Sequence, residues 1–212
     1  PEQRPEKAPS EELLAATLTR IGLKNLHLAG NQLSKDIPSL YIDLSTTAKG
    51  YGVDVVAELI EANGITNYLV EIGGEMRLKG FKHTGELWAI AIEKPILDPS
   101  GEQRAVHQII IPKDNAVATS GDYRNYFEAD GQRFSHIIDP ATGKPIDHNL
   151  VSVTVIEPSS MTADGLSTML MVLGAEKGMA FAIKNDIAAL FISKTEHGFS
   201  EQFTVKFKQY LK

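Results

Sequence analysis

Between residues 67 and 112 the chain places four short apolar segments in succession, NYLVEI, EMRLKG, LWAIAI and VHQIIIP, punctuated by Gly73-Gly74 and Pro95. Segments of this length, rich in Val, Ile, Leu and aromatic residues and bounded by turn formers, read as strands. Helical patterns enter as separate blocks on either side of this run and do not alternate with each strand. A parallel sheet needs a crossover after every strand, so the pattern favours an α+β fold with mainly antiparallel sheets over a doubly wound one.

The flanking segments fit that reading. Residues 1–9, PEQRPEKAP, hold three prolines among charges and predict an extended leader. Ser10 before Glu11 and Glu12 predicts a capped helix running to about Arg20, with Gly22 past its end. Leu26 and Leu28 predict a short strand turned back at Gly30-Asn31, and SLYIDL, residues 39–44, predicts another. A helix is expected from about Thr47 to Asn63, with Val53, Val56, Ala57 and Ile60 on one apolar stripe. Asp130-Gly131 predicts a hairpin, Pro140, Gly143 and Pro145 a tight loop, and LVSVTVI a buried strand. Helices at 160–173 and 175–184, a strand IAALFIS and an alternating stretch near FTVKF complete the chain.

With 212 residues, 42% hydrophobic and 23% charged, one compact domain can bury a full core. A net charge of −6 argues against nucleic acid as a ligand. No apolar run approaches the roughly 18 residues that a membrane span requires. The absence of cysteine removes disulfides, thiolate metal sites and cysteine nucleophiles together.

Three segments crowd polar residues at expected strand ends or helix starts. In Asp43-Leu44-Ser45-Thr46-Thr47-Ala48-Lys49-Gly50, a helix start offers unpaired N–H groups to an anion and Lys49 adds a positive charge. The plainer reading is that Ser45 or Thr46 caps the helix and Lys49 is solvated. Asp164 and Thr168, four apart on a helix beginning near Ser160, form a hard-oxygen pair suited to Mg²⁺ or Ca²⁺. Alternatively, Asp164 complements the helix dipole and Thr168 bonds back to a carbonyl. His136, leading into a Pro/Gly-rigid loop, is a possible general base, with Asp139 either orienting it or tying the turn. Nucleotide-binding glycine loops, the H-E-x-x-H helix and the G-x-S-x-G elbow are all missing.

The stretches D-L-S-T-T-A-K-G-Y-G-V-D (43–54), Y-L-V-E-I-G-G-E (68–75), A-T-S-G-D-Y-R-N-Y (118–126), S-H-I-I-D-P-A-T-G-K-P (135–145) and T-A-D-G-L-S-T-M-L-M-V-L-G (162–174) resemble the ApbE family, the FAD:protein FMN transferases. The resemblance implies a single ApbE-type, T-fold-like domain of antiparallel sheets flanked by helices. It implies that FAD binds with Mg²⁺ at its pyrophosphate and that FMN passes to a threonine hydroxyl of a flavoprotein, releasing AMP. By motif position, Asp164, Thr168 and the Thr46 carbonyl would hold the metal. Asp43, Lys49 and the Ile138 backbone would contact FAD, and His136 would be the base. Ser167 lies where some members carry an acidic residue. The implied acceptors are subunits of membrane redox pumps of the quinone reductase type, and the implied location is the periplasm, anchored as a lipoprotein. Two readings compete with transfer: a metal-dependent FAD pyrophosphatase and a non-catalytic FAD-binding protein. Family members usually begin well upstream, so residues 1–212 are expected to be an FMN transferase domain lacking its N-terminal portion.

Overall fold

A computed structural model describes residues 9–95, 105–121, 126–129 and 132–212. In chain order these form α1 (Glu11–Leu18), β1 (Leu26–Ala29), β2 (Gln32–Lys35), α2 (Ser45–Ala62), β3 (Tyr68–Ile72), β4 (Glu75–Lys79), β5 (Ile90–Glu93), β6 (Val106–Ile110) and β7 (Ala116–Gly121). The second half adds β8 (Tyr126–Ala129), β9 (Gln132–Ser135), β10 (Ile138–Asp139), β11 (Lys144–Pro145), β12 (Leu150–Glu157), α3 (Ser160–Lys184), β13 (Ala188–Thr195), β14 (Gly198–Phe203) and α4 (Val205–Lys208).

Six strands form one sheet in the order β14-β13-β12-β7-β4-β3, and every neighbouring pair is antiparallel. The alternation of side chains along each strand sends two apolar sets to opposite faces. Val117, Leu190, Ile192 and Ile156 meet Ile92, Ile110, Phe207 and Tyr210 from the β5–β6 ribbon and the C-terminal turn. Ala118, Val153, Val155, Ala189 and Phe191 face Ala163, Leu170 and Met171 of α3. A register slip between Leu150 and Ser152 reverses the alternation, so Leu150 joins the α3 face and Val151 the other. Each fully buried Val, Leu or Phe here contributes roughly 1.5–3 kcal/mol. Thr154, buried among them, is satisfied by the Thr119 hydroxyl at 2.9 Å.

The expected antiparallel α+β architecture is present, and several local expectations are corrected. Residues 40–44 form no strand: Tyr41 is 83% exposed, and no neighbouring strand among the described residues pairs with this segment. Leu40 and Ile42 are half-buried without any strand pairing, and Leu44 is exposed. α2 begins at Ser45 instead of Thr47, because the Asp43 carboxylate accepts the Ser45 N–H at 2.7 Å and starts the turn. Val53 and Ala57 are buried against Tyr68 and Val70, with Ile60 partly covered, but Val56 is 39% exposed. The two expected C-terminal helices are present as two helical segments of α3 that meet in a kink at Gly174, whose φ of 77° interrupts the helical ladder. At 25 residues, α3 is long and apolar enough by composition to cross a membrane, yet Leu170 and Met171 pack it onto the sheet. The stretch near FTVKF divides at Thr204, whose hydroxyl accepts the Ala189 N–H and donates to the Ile187 carbonyl, so α4 replaces a strand end. The hairpin expected around Asp130-Gly131 is seen in the β8–β9 pairing, while those two residues lie outside the described residues.

Candidate functional site

The site is built where the start of α2 crosses the start of α3. Gly50 makes the crossing possible, since a Cβ there would collide with the Ser160 carbonyl and the Met161 backbone. The helices approach so closely that the Gly50 N–H donates to Asp164 Oδ2 at 3.0 Å. In a regular helix that N–H serves the carbonyl four residues back, which is Thr46. The Asp164 carboxylate thereby reaches the turn of α2 that contains Thr46. Gly165, beside Asp164, leaves room for the Thr47 methyl.

A second carboxylate fixes this crossing from the other side. Asp54 of α2 accepts from the Ser159 hydroxyl at 2.8 Å, the Ser160 N–H at 3.0 Å and the Met161 N–H at 2.9 Å, so α2 caps α3 across the interface. Arg77 of β4 adds an ion pair at 3.0 Å. Burial works against the Asp54 charge, but these N–H groups, the Ser159 hydroxyl and the guanidinium outweigh it and hold its carboxyl below the usual range. Ser159 also caps α3 locally by accepting the Thr162 N–H at 3.2 Å.

One turn beyond Asp164, the Thr168 hydroxyl shares the Asp164 face and meets the Ser120 hydroxyl of β7 at 2.7 Å. Ser120 also meets the Ser167 hydroxyl at 3.0 Å, and Ser167 donates to the Asp164 carbonyl at 2.9 Å. From the β3–β4 turn, Glu75 is only 3% exposed and pairs with the Lys49 ammonium at 2.6 Å. Burial pushes the Glu75 carboxyl up, Lys49 opposes this, and Asp164 adds to it. Burial likewise raises Asp164, against the pull of the Gly50 N–H and Lys49.

Of the residues expected from sequence, Asp164, Thr168, Lys49 and the Thr46 turn thus converge. Asp43 stands exposed just ahead of α2, its carboxyl lowered by hydrogen bonds to the Ser45 side chain and backbone. Neither Ser45 nor Thr46 caps α2; the Asp43 side chain serves that end. His136 lies on the β9–β10 connection and Ile138 opens β10, both exposed, flanking Ile137, which packs into the same core as α3. Asp139 ties the following turn by accepting the Ala141 N–H at 2.8 Å. Sequence reasoning assigned no role to Glu75, Asp54 or Ser120. All three lie inside the quoted stretches, but only the strand register and the helix crossing point them at the site.

Among the described residues, no group of three or more His, Cys, Asp and Glu side chains is arranged to enclose a metal ion. The side-chain oxygens placed together are the Asp164 carboxylate and the Thr168 hydroxyl on one face of α3, with the buried Glu75 carboxylate nearby. All are hard oxygens and together incomplete, which fits Mg²⁺, an ion that completes its shell with water and phosphate oxygens. They do not fit zinc.

A family model described as the ApbE family matches residues 1–191. The chain belongs to the ApbE family. It is 58% identical over 211 residues to an FAD:protein FMN transferase of Vibrio cholerae, covering 100% of this chain and 62% of that one. With the Escherichia coli K12 protein of the same name it shares 42% over 215 residues, covering 100% and 60%. The solved flavin transferase ApbE from Vibrio cholerae superposes with a TM-score of 0.88 at 55% identity, covering 100% of this chain and 66% of that chain. The apo flavinyl transferase ApbE of Pseudomonas stutzeri gives 0.86 at 43% identity, covering 99% and 64%. The chain therefore spans about 60% of the length of the curated ApbE relatives it matches.

Proposed function

We propose that this chain carries the diphosphate and cation apparatus of an FAD:protein FMN transferase. The reaction moves FMN from FAD to a threonine hydroxyl of an acceptor protein and releases AMP. The observation that carries this reading is the contact between Asp164 of α3 and Gly50 of α2, which joins two distant stretches into one oxygen-lined site. Names of relatives similar over the whole chain support it.

In this reading the threonine oxygen attacks the FMN phosphorus, and the bond from that phosphorus to the bridging oxygen breaks. AMP departs with the bridging oxygen. When bound, Mg²⁺ would supply positive charge to the diphosphate. Asp164, Thr168 and the Thr46 carbonyl would hold it, while Ser120 fixes the Thr168 hydroxyl. Lys49 presents its ammonium to the phosphates, and Asp43 and the Ile138 backbone contact the dinucleotide. Threonine is a weak nucleophile, so His136 takes its proton as the new P–O bond forms. Charge is met by groups already in place, which lowers the barrier without reorganisation.

By family resemblance, the acceptors are flavoprotein subunits of membrane redox pumps of the quinone reductase type, and the working location is the periplasmic face of a membrane, with lipoprotein anchoring. The test is incubation of the chain with FAD, Mg²⁺ and a threonine-bearing acceptor, followed by mass measurement of the acceptor. A gain equal to one FMN residue, with AMP released in step, is expected. AMP and free FMN without acceptor would favour FAD hydrolysis, and tight FAD binding without turnover a storage role.

A further inference from the structure

The stretch Y-L-V-E-I-G-G-E ends at a turn whose role the transfer reading leaves open. Its Gly73 has φ 61°, and a Cβ there would stand 3.3 Å from Lys49 Cδ, so the lysine stem runs across the bare backbone. Glu71 pins the turn by accepting the Gly74 N–H at 2.8 Å. Glu75, opening β4, is almost wholly buried, and its Oε2 finds no hydrogen-bond donor in good geometry among the described residues; the Lys49 ammonium stands 2.6 Å away as its ion-pair partner. Lys49 thus pairs directly with Glu75, while the other buried carboxylate, Asp164, takes the Gly50 N–H.

We propose that the Lys49–Glu75 pair couples cation binding to dinucleotide binding, with Glu75 as the positioning residue that holds Lys49 and supplies a second negative charge beside Asp164. The inference deepens the transfer reading and rests on its cation and diphosphate site. A divalent cation entering alone is attracted by Glu75 and repelled by Lys49. A diphosphate entering alone is attracted by Lys49 and repelled by Glu75. Each ligand neutralises the group that opposes the other, so the two bind with positive, reciprocal coupling. The turn glycine and the buried glutamate fix the geometry that makes this exchange of counter-charges local.

The test uses the full chain with Glu75→Gln, Lys49→Met and the double variant. Mn²⁺ affinity is measured alone by electron paramagnetic resonance, FAD affinity in EDTA by flavin fluorescence, and FAD affinity again with saturating Mg²⁺. Glu75→Gln is expected to weaken Mn²⁺ roughly tenfold while FAD in EDTA binds as well or better, and Lys49→Met to reverse both signs. In both variants the factor by which metal improves FAD affinity should shrink. Equal weakening of both ligands in each variant, or a lowered melting temperature with affinities intact, would overturn the proposal. A wild-type chain that binds both ligands yet transfers no FMN would remove the transfer reading and leave the pair standing. FMN transfer without the crossed signs would do the opposite, and a wild type that binds neither ligand overturns both.

Discussion

Gly50 and Asp164 lie 114 residues apart in the chain, yet the N–H of one donates to the carboxylate of the other at 3.0 Å. The bond needs an oxygen acceptor, which an amide also supplies, whereas cation binding needs the charge. Asp164→Asn should therefore keep the melting temperature of the wild type and lose divalent-cation affinity by roughly 100-fold or more, with transfer falling in parallel. Calorimetric titration with Mn²⁺ beside a thermal melt checks it, and undiminished affinity would remove Asp164 from the metal site.

Asp54 serves the same crossing by accepting from the cap and first residues of α3. Asp54→Ala strips the Ser160 and Met161 N–H groups and the Ser159 hydroxyl of their acceptor and leaves Arg77 short of a partner. A loss of roughly 3 kcal/mol in urea denaturation is expected, with Asp54→Asn recovering part of it.

Two glycines on the helix interface should behave differently. At Gly50 a methyl meets backbone that cannot yield, so Gly50→Ala should cost roughly 2–3 kcal/mol despite the better helix propensity of alanine. At Gly165 the nearest atom is the Thr47 methyl at 3.2 Å, which can shift slightly, and Gly165→Ala should change stability by less than about 1 kcal/mol. Thermal melts of the two variants decide it.

Ser120→Ala removes the hydroxyl that meets both Thr168 and Ser167. The Thr168 oxygen then loses its fixed direction. A roughly tenfold rise in the Mg²⁺ concentration needed for half-maximal transfer is expected, with the melting temperature nearly unchanged. An unchanged Mg²⁺ dependence would show that Ser120 only packs.

Glu157 gives a pH test away from the site. Burial raises its carboxyl above the ordinary 4.5, with Lys206 opposing and Asp186 adding to the effect. Its favourable contribution is fully present below 4.5 and is lost as pH rises through the folded-state value. Glu157→Gln should consequently be more stable than wild type at pH 7, and the gap should close below about 4.5. Urea denaturation across that range reads the difference directly.

How far the sequence speaks depends on whether the deciding physics is local. The Ser10 cap, the turn at Gly30-Asn31 and the buried LVSVTVI strand follow from neighbouring residues, and all three appear as expected. The Asp164 and Thr168 pairing follows from helical spacing alone. SLYIDL fails because strand formation needs a partner edge, which alternation cannot supply. Val56 is exposed because the width of the covered stripe on α2 is set by where α3 and β3 lie. Glu75 and Asp54 read as ordinary acidic residues until the β3–β4 turn and the helix crossing bury them.

The break at Gly174 has a mechanical result for the helix that carries Asp164. His148 fills the notch, its ring set 2.9 Å from the Met171 carbonyl and close against Gly174. A rod jointed in this way passes little torque along its length. Gly178, which has no room for a side chain against Phe191, seats the rear segment, while the oxygen donors belong to the front one.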